Sequence, residues 1–181
     1  MSKRVKDVSQ TKIVYCALMA AITCIATMVI RVPSIGAVGY VNIGDTAVLI
    51  SAWQIGGVYG ALAAGVGSAL ADLLAGYAYY VPGTFIIKFL MAFVASILIG
   101  RTGRHFAEES KVKWMTAHIV SGVAAELIMI TGYFFYKALI LGKGFAAAVP
   151  SVFTNTAQAI TCLITAIAAA ILLKKANFNV G

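Results

Sequence analysis

Acid is scarce in this sequence: six Asp and Glu residues among 181, with charged residues at 11% against the ~25% of a soluble domain. Too few charges are present to clothe a water-soluble surface. Cysteine is also scarce. Cys16, Cys24 and Cys162 lie inside apolar runs, with no CxxC and no neighbouring histidine pair, so they read as small packing residues and not as metal ligands or disulfides. Histidine occurs twice, as His105 and His118, both near basic segments, and no Ser or Thr has a partnered base in reach by sequence. The chain also lacks the GxxxxGK[ST] pattern that cradles nucleotide phosphates. These absences exclude an obvious enzyme and leave no cofactor to bind.

What is present is hydrocarbon. Hydrophobic residues reach 61% and the mean hydropathy is +0.94, which marks an integral membrane protein. The first apolar run, 13–30, is long enough to span and has no small-residue cleavage site behind it, so it reads as a span and not a removable signal. The expected architecture is all-α, a single membrane bundle over 1–181 with spans near 12–30, 46–55, 58–75, 84–100, 115–141 and 150–173. The second and third of these are separated only by Gly56-Gly57 and could instead be one long helix, Thr46 to Ala75. Charge decides for the turn. Six spans put Lys3, Arg4, Lys6, Lys12, Arg101, Arg104, Lys111, Lys113, Lys174 and Lys175 on one side, ten of the fourteen basic residues, with both termini cytoplasmic. The net charge of +8 is then a topology signal, and nucleic acid is not an expected partner.

Between the first two spans lies Arg31 to Asp45, RVPSIGAVGYVNIGD, the largest concentration of hydrogen-bonding groups away from the charged ends. Pro33, Gly36, Gly39 and Gly44 disfavour helix, and Asp45 is placed to cap a helix starting at Thr46. A plain connector would also look like this, though typical ones need only ~4–6 residues. In the same outer half of the membrane the spans carry Asp72, Lys88, Asn155 and Gln158, the last two sharing a helix face at i, i+3. Tyr40, Tyr79 and Tyr133 rim them, and Tyr77, Tyr79 and Tyr80 form a cluster that serves equally as an interfacial belt or as an aromatic wall. Lys88 and Glu126 need partners or a cavity, because ionisable groups at membrane depth cost roughly 2.5–3.5 kcal/mol each. Pairing of Lys88 with Asp72 or Glu126 is the structural alternative to a pocket for a small polar aromatic molecule. Ala17 and Ala21, four apart on the first span, allow close helix contact, and by spacing alone that contact is internal packing.

In order along the chain, AxxxA (Ala17, Ala21), GYVNIGD (Gly39–Asp45), GALAAGVGSALADLLAGY (Gly60–Tyr77) and FIIKFLMAF (Phe85–Phe93) resemble the substrate-binding S components of energy-coupling factor (ECF) vitamin transporters. The resemblance implies capture of a vitamin or precursor at the outer face of the cell membrane of a prokaryote. It also implies delivery through a transmembrane coupling protein, which the alanine motif contacts, and two ATPases that use the ATP. The segment Tyr40–Asp45 departs from the Asp-Phe-Ser-Asp-like loop of riboflavin-binding members. It is similar to members linked to pyridoxine-type or hydroxymethylpyrimidine-type ligands. On that reading Tyr40, Asn42, Asp45, Asp72, Tyr79, Lys88, Glu126, Tyr133, Asn155 and Gln158 bind the substrate. An S component for riboflavin is the alternative within the family. An ion-coupled carrier using Lys88, Asp72 and Glu126 as a proton relay is the alternative outside it, although no inverted repeat of the kind common in carriers is evident.

The six-span topology predicts that a cysteine placed at Gly142 reacts with an impermeant thiol reagent in intact cells while one at Ser110 does not; labelling at Ser110 overturns it.

Overall fold

A computed structural model describes residues 2–29, 31–33 and 40–176, with side chains described for 10–29, 41–100 and 110–176. The described residues form six helices: α1 (Ser2–Val29), α2 (Gly44–Gln54), α3 (Gly57–Leu74), α4 (Val81–Glu109), α5 (Lys111–Phe135) and α6 (Phe145–Lys175). A short antiparallel hairpin of β1 (Arg31–Pro33) and β2 (Tyr40–Asn42), with Val32 opposite Val41, precedes α2. Five helices are long and apolar enough to cross a membrane. The exception is α2, whose 11 residues extend about 16 Å at ~1.5 Å each, half of a ~30 Å hydrocarbon core.

Gly56 and Gly57 both take positive φ, 68° and 54°, and break the chain between α2 and α3 as a single helix from Thr46 to Ala75 could not. Successive helices alternate in direction. The start of α2, the end of α3, the start of α4 and the end of α5 meet at one end of the bundle, where Tyr133 Oη donates to Thr84 and Thr84 to Asp72. At the opposite end Trp53 Nε1 of α2 donates to Ser121 of α5 at 3.0 Å, and Lys174 of α6 lies 4.7 Å from the Trp114 ring of α5.

Short as it is, α2 is the centre of the packing. Val48, Leu49, Ala52 and Trp53 are buried against Met91, Ala92 and Ala95 of α4, Ala125 and Met129 of α5 and Ala159 of α6. The third span has one small side: Gly60, Ala61, Ala63, Ala64, Gly65, Gly67, Ser68, Ala69 and Ala71 are all buried, while Val58, Val66, Leu70, Leu73 and Leu74 face outwards. The small side is needed because backbones touch there. A Cβ on Gly67 would collide with the Ala20 carbonyl and Thr23 of α1, and one on Gly60 would meet the Ser51 carbonyl of α2.

Three boundaries differ from the sequence reading. The fourth span does end at Gly100, where φ 33° and ψ −145° interrupt α4, but 101–109 continue as helix and not as an open connector. The last helix begins at Phe145, released by Gly144 at φ 79°, so Pro150 sits inside it and not at its start. The end of the fifth span widens into a π turn, Tyr136–Ile140, closed by the Leu141 amide on the Tyr136 carbonyl at 3.0 Å.

Gly67→Ala should destabilise the protein by about 1–3 kcal/mol through overpacking of the α1–α3 seam, read as a lowered melting temperature in detergent.

Candidate functional site: a polar cavity under the hairpin

Where α2 begins, Asn42 Oδ1 accepts the Gly44 amide at 2.7 Å, a local turn that Asn favours. A side chain on Gly44 would strike Thr27 Oγ1 and Asn42 Oδ1. The helix therefore starts at Gly44, and Asp45 is not its cap. Asp45 lies inside the first turn, fully buried, and its carboxylate pairs with Lys88 of α4 through Oδ1. Gln158 Nε2 of α6 donates to Oδ2 at 2.6 Å. Lys88 thus has Asp45 as its ion-pair partner, and the expected Asp72 or Glu126 pairing gives way to it. The reason is geometric: α2 runs through the centre of the bundle, so its first turn lies nearer the middle of α4 than the sequence order suggests.

From this buried pair the hydrogen bonds run back to the hairpin. Gln158 Oε1 accepts from the Asn42 amide at 3.0 Å and from Asn42 Nδ2 at 3.3 Å. Cys162 Sγ donates to the Asn42 carbonyl at 3.3 Å, so this cysteine holds β2 as well as filling space. A second chain joins Asp72, Thr84 and Tyr133, whose ring lies 5.4 Å from Lys88 Nζ. Above both chains opens a polar cavity of about 90 Å³. Thr27 of α1 and Ser68 and Asp72 of α3 wall one side; Tyr77 and Tyr80 follow them. The lining is completed by Tyr133 near the end of α5, Lys137 on the π turn, and Ser151, Thr154, Asn155 and Gln158 from the first half of α6. Burial beside Tyr79 pushes the Tyr80 phenol up to about 12, so it remains a neutral hydrogen-bonding group near neutrality.

Two groups on the wall have no internal partner. Ser68 Oγ and Asn155 Nδ2 are buried atoms without a hydrogen bond among the described residues. Such groups cost about 1–3 kcal/mol each unless something satisfies them, and a ligand in the cavity would.

Residues 7–175 match the family described as the ECF-type riboflavin transporter, S component. The chain belongs to that family. An uncharacterised protein of Pyrococcus woesei, described only as lying in the gap 3′ region, is 27% identical over 151 residues, which is 83% of this chain and 93% of that one. Membership makes the chain a vitamin-binding transporter subunit that works with an energy-coupling factor module, in a family of transporter components and not of enzymes.

For this S component the expected site residues divide into four groups. Asn42, Asp72, Lys88, Tyr133, Asn155 and Gln158 line one cavity. Asp45 and Glu126 do not reach its surface: Asp45 lies beneath it as the anchor of Lys88, and Glu126 is 3% exposed with both carboxyl oxygens unbonded among the described residues. Tyr79 turns away, 49% exposed, and its backbone carbonyl accepts from Tyr136 Oη at 2.8 Å. Its neighbours Tyr77 and Tyr80 take the wall instead. The Tyr40 side chain lies outside the described residues; its backbone pairs with Pro33. Sequence reasoning did not assign Thr27, Ser68, Thr84 or Ser151 to the site, for a lone hydroxyl on an apolar helix carries no signal.

Breaking the buried pair from one side should cost far more than removing it whole. Asp45→Asn is expected to destabilise by about 3–5 kcal/mol by stranding Lys88, with part of the loss recovered in Asp45→Asn/Lys88→Met; a double-mutant cycle on thermal unfolding measures it.

Proposed function

We propose that the chain captures a small aromatic vitamin or precursor at the outer face of a prokaryotic cell membrane and passes it to a coupling protein driven by two ATPases. On this reading the bundle crosses the membrane six times with both termini in the cytoplasm, α2 being the short crossing, and the hairpin end faces out. The observation that carries the reading is the cavity with orphaned hydrogen-bonding groups, in a chain of the S-component family. Asn42, Asp72, Lys88, Tyr133, Asn155 and Gln158 bind the ligand directly, while Asp45 and Glu126 support it from beneath.

Ala17 and Ala21 form the coupling surface. Both are exposed, on an outward face of α1 with Val14 (65% exposed), Leu18 (53%) and Ile22 (42%). The internal packing of α1 uses a different side, with Ala20 and Thr23 against Gly67. An exposed small-residue patch is available to a second helix.

For the substrate, a pyridine or pyrimidine ring with hydroxymethyl arms suits the inventory: tyrosine walls and amide, hydroxyl and carboxylate groups for ring nitrogens and hydroxyls. The family's description favours riboflavin as the second reading. Native mass spectrometry of the purified chain separates them by the mass of any retained ligand.

Two substitutions test the division of labour between the ends of the bundle. Asn155→Leu should weaken binding of that ligand by about 1–3 kcal/mol, roughly ten- to a hundredfold, by isothermal titration. Ala21→Leu should block uptake in cells carrying the coupling protein and ATPases while binding stays near wild type. Equal loss of binding and uptake in Ala21→Leu would make the alanines packing residues only.

A further inference from the structure

Charge is unevenly satisfied around the cavity. Lys88 is neutralised by Asp45, but Lys137, on the π turn at the end of α5, pairs with no acidic side chain among the described residues. It is nonetheless only 6% exposed. A lysine near the end of a membrane helix ordinarily snorkels outward, keeping its stem in lipid and its ammonium among headgroups. Lys137 does the reverse. The wide turn keeps Lys137 and Ala138 on the inner side and leaves Leu139 (58% exposed) and Ile140 (71%) to face lipid. Single π turns inside helices occur frequently at functional sites, and this one delivers an ammonium to the cavity wall. The next lysine, Lys143, is exposed and free to serve the headgroups.

Asp72 lies on the same wall, but it accepts from Thr84 and forms no ion pair with Lys137. Ser151, Thr154 and Asn155, from the first half of α6, line the same cavity. Asn155 Nδ2 is a donor with no acceptor. An ammonium and an unsatisfied amide N–H on one cavity call for an acceptor that carries charge, since a charge-assisted hydrogen bond is roughly twice as strong as a neutral one.

We infer that the ligand carries an anionic oxygen, an ionised ring hydroxyl or a carboxylate, and that Lys137 is the residue that selects it. This rests on the vitamin-binding reading and narrows it, because a wholly neutral ring leaves Lys137 without an ion-pair partner.

The test is titration of the full-length protein, purified in a non-ionic detergent free of phospholipid so that headgroup phosphate cannot occupy the site. The probes are pyridoxine, whose ring hydroxyl is acidic, against 3-deoxypyridoxine; nicotinate against nicotinamide; and the neutral compounds hydroxymethylpyrimidine and riboflavin. An acidic member should bind at least tenfold more tightly than its neutral mate. Lys137→Gln should remove that preference, Lys137→Arg should keep it, and Lys143→Gln should leave it unchanged. The pyridoxine and nicotinate arms distinguish a ring hydroxyl from a carboxylate. Tight binding of a neutral probe that is unaffected by Lys137→Gln overturns the inference and leaves vitamin binding intact. Failure of every probe to bind overturns the inference together with the proposed substrate class.

Discussion

The structure depends on how one buried carboxylate is satisfied. An ion left alone in a membrane bundle is costly, and an ion pair recovers that cost only with good geometry and further hydrogen bonds. Asp45 has two such partners, Lys88 on one oxygen and Gln158 on the other. Each partner comes from a different helix, so the carboxylate ties α2 to α4 and α6 at one point. The same Gln158 then holds Asn42, and through it the hairpin. A helix of 11 residues has too little length to be fixed by lipid matching alone. Its place in the bundle comes from apolar burial along Val48 to Trp53 and from this polar anchor at its start.

Much of the fold was legible because its signals are local or periodic. The small side of α3, the break at Gly56-Gly57 and the end of a span at Gly100 follow from residue types that act on their own backbone or on a neighbour's approach. The need for a partner at Lys88 was legible too, since an ammonium in an apolar run is conspicuous. The identity of the partner was not. Asp45 and Asp72 are both acids at the same end of a span, and choosing between them requires knowing that α2 runs through the centre of the bundle. Asp45 also imitates a helix cap, being an acid just after a glycine, and only the Asn42 turn shows that the cap position lies earlier.

The remaining misses have one physical origin: which way a side chain turns at an element's end. Three tyrosines follow Gly76, itself at φ 82°, and that turn sends Tyr77 and Tyr80 to the cavity and Tyr79 outward. The π turn that aims Lys137 inward is a one-residue slip in hydrogen-bond register and has no compositional signature. Pro150 looked like a helix start, yet Gly144 begins the helix and the proline is accommodated within it.

The two ends of the proposed function meet on α1. Thr27 belongs to the cavity wall, while Ala17 and Ala21, ten and six residues before it, face outwards. Between them lies the seam with α3, where Gly67 sits against Ala20 and Thr23. The next residue of α3, Ser68, also lines the cavity and has no hydrogen-bond partner among the described residues. A ligand that engages Ser68 therefore touches the residue adjoining the closest backbone contact between α1 and α3. Packed interiors of this kind do not deform continuously, so on the proposed reading an adjustment of α3 at Ser68 bears on its contact with α1. On the proposed reading, the helix that carries the coupling face is the one whose seating the ligand can alter.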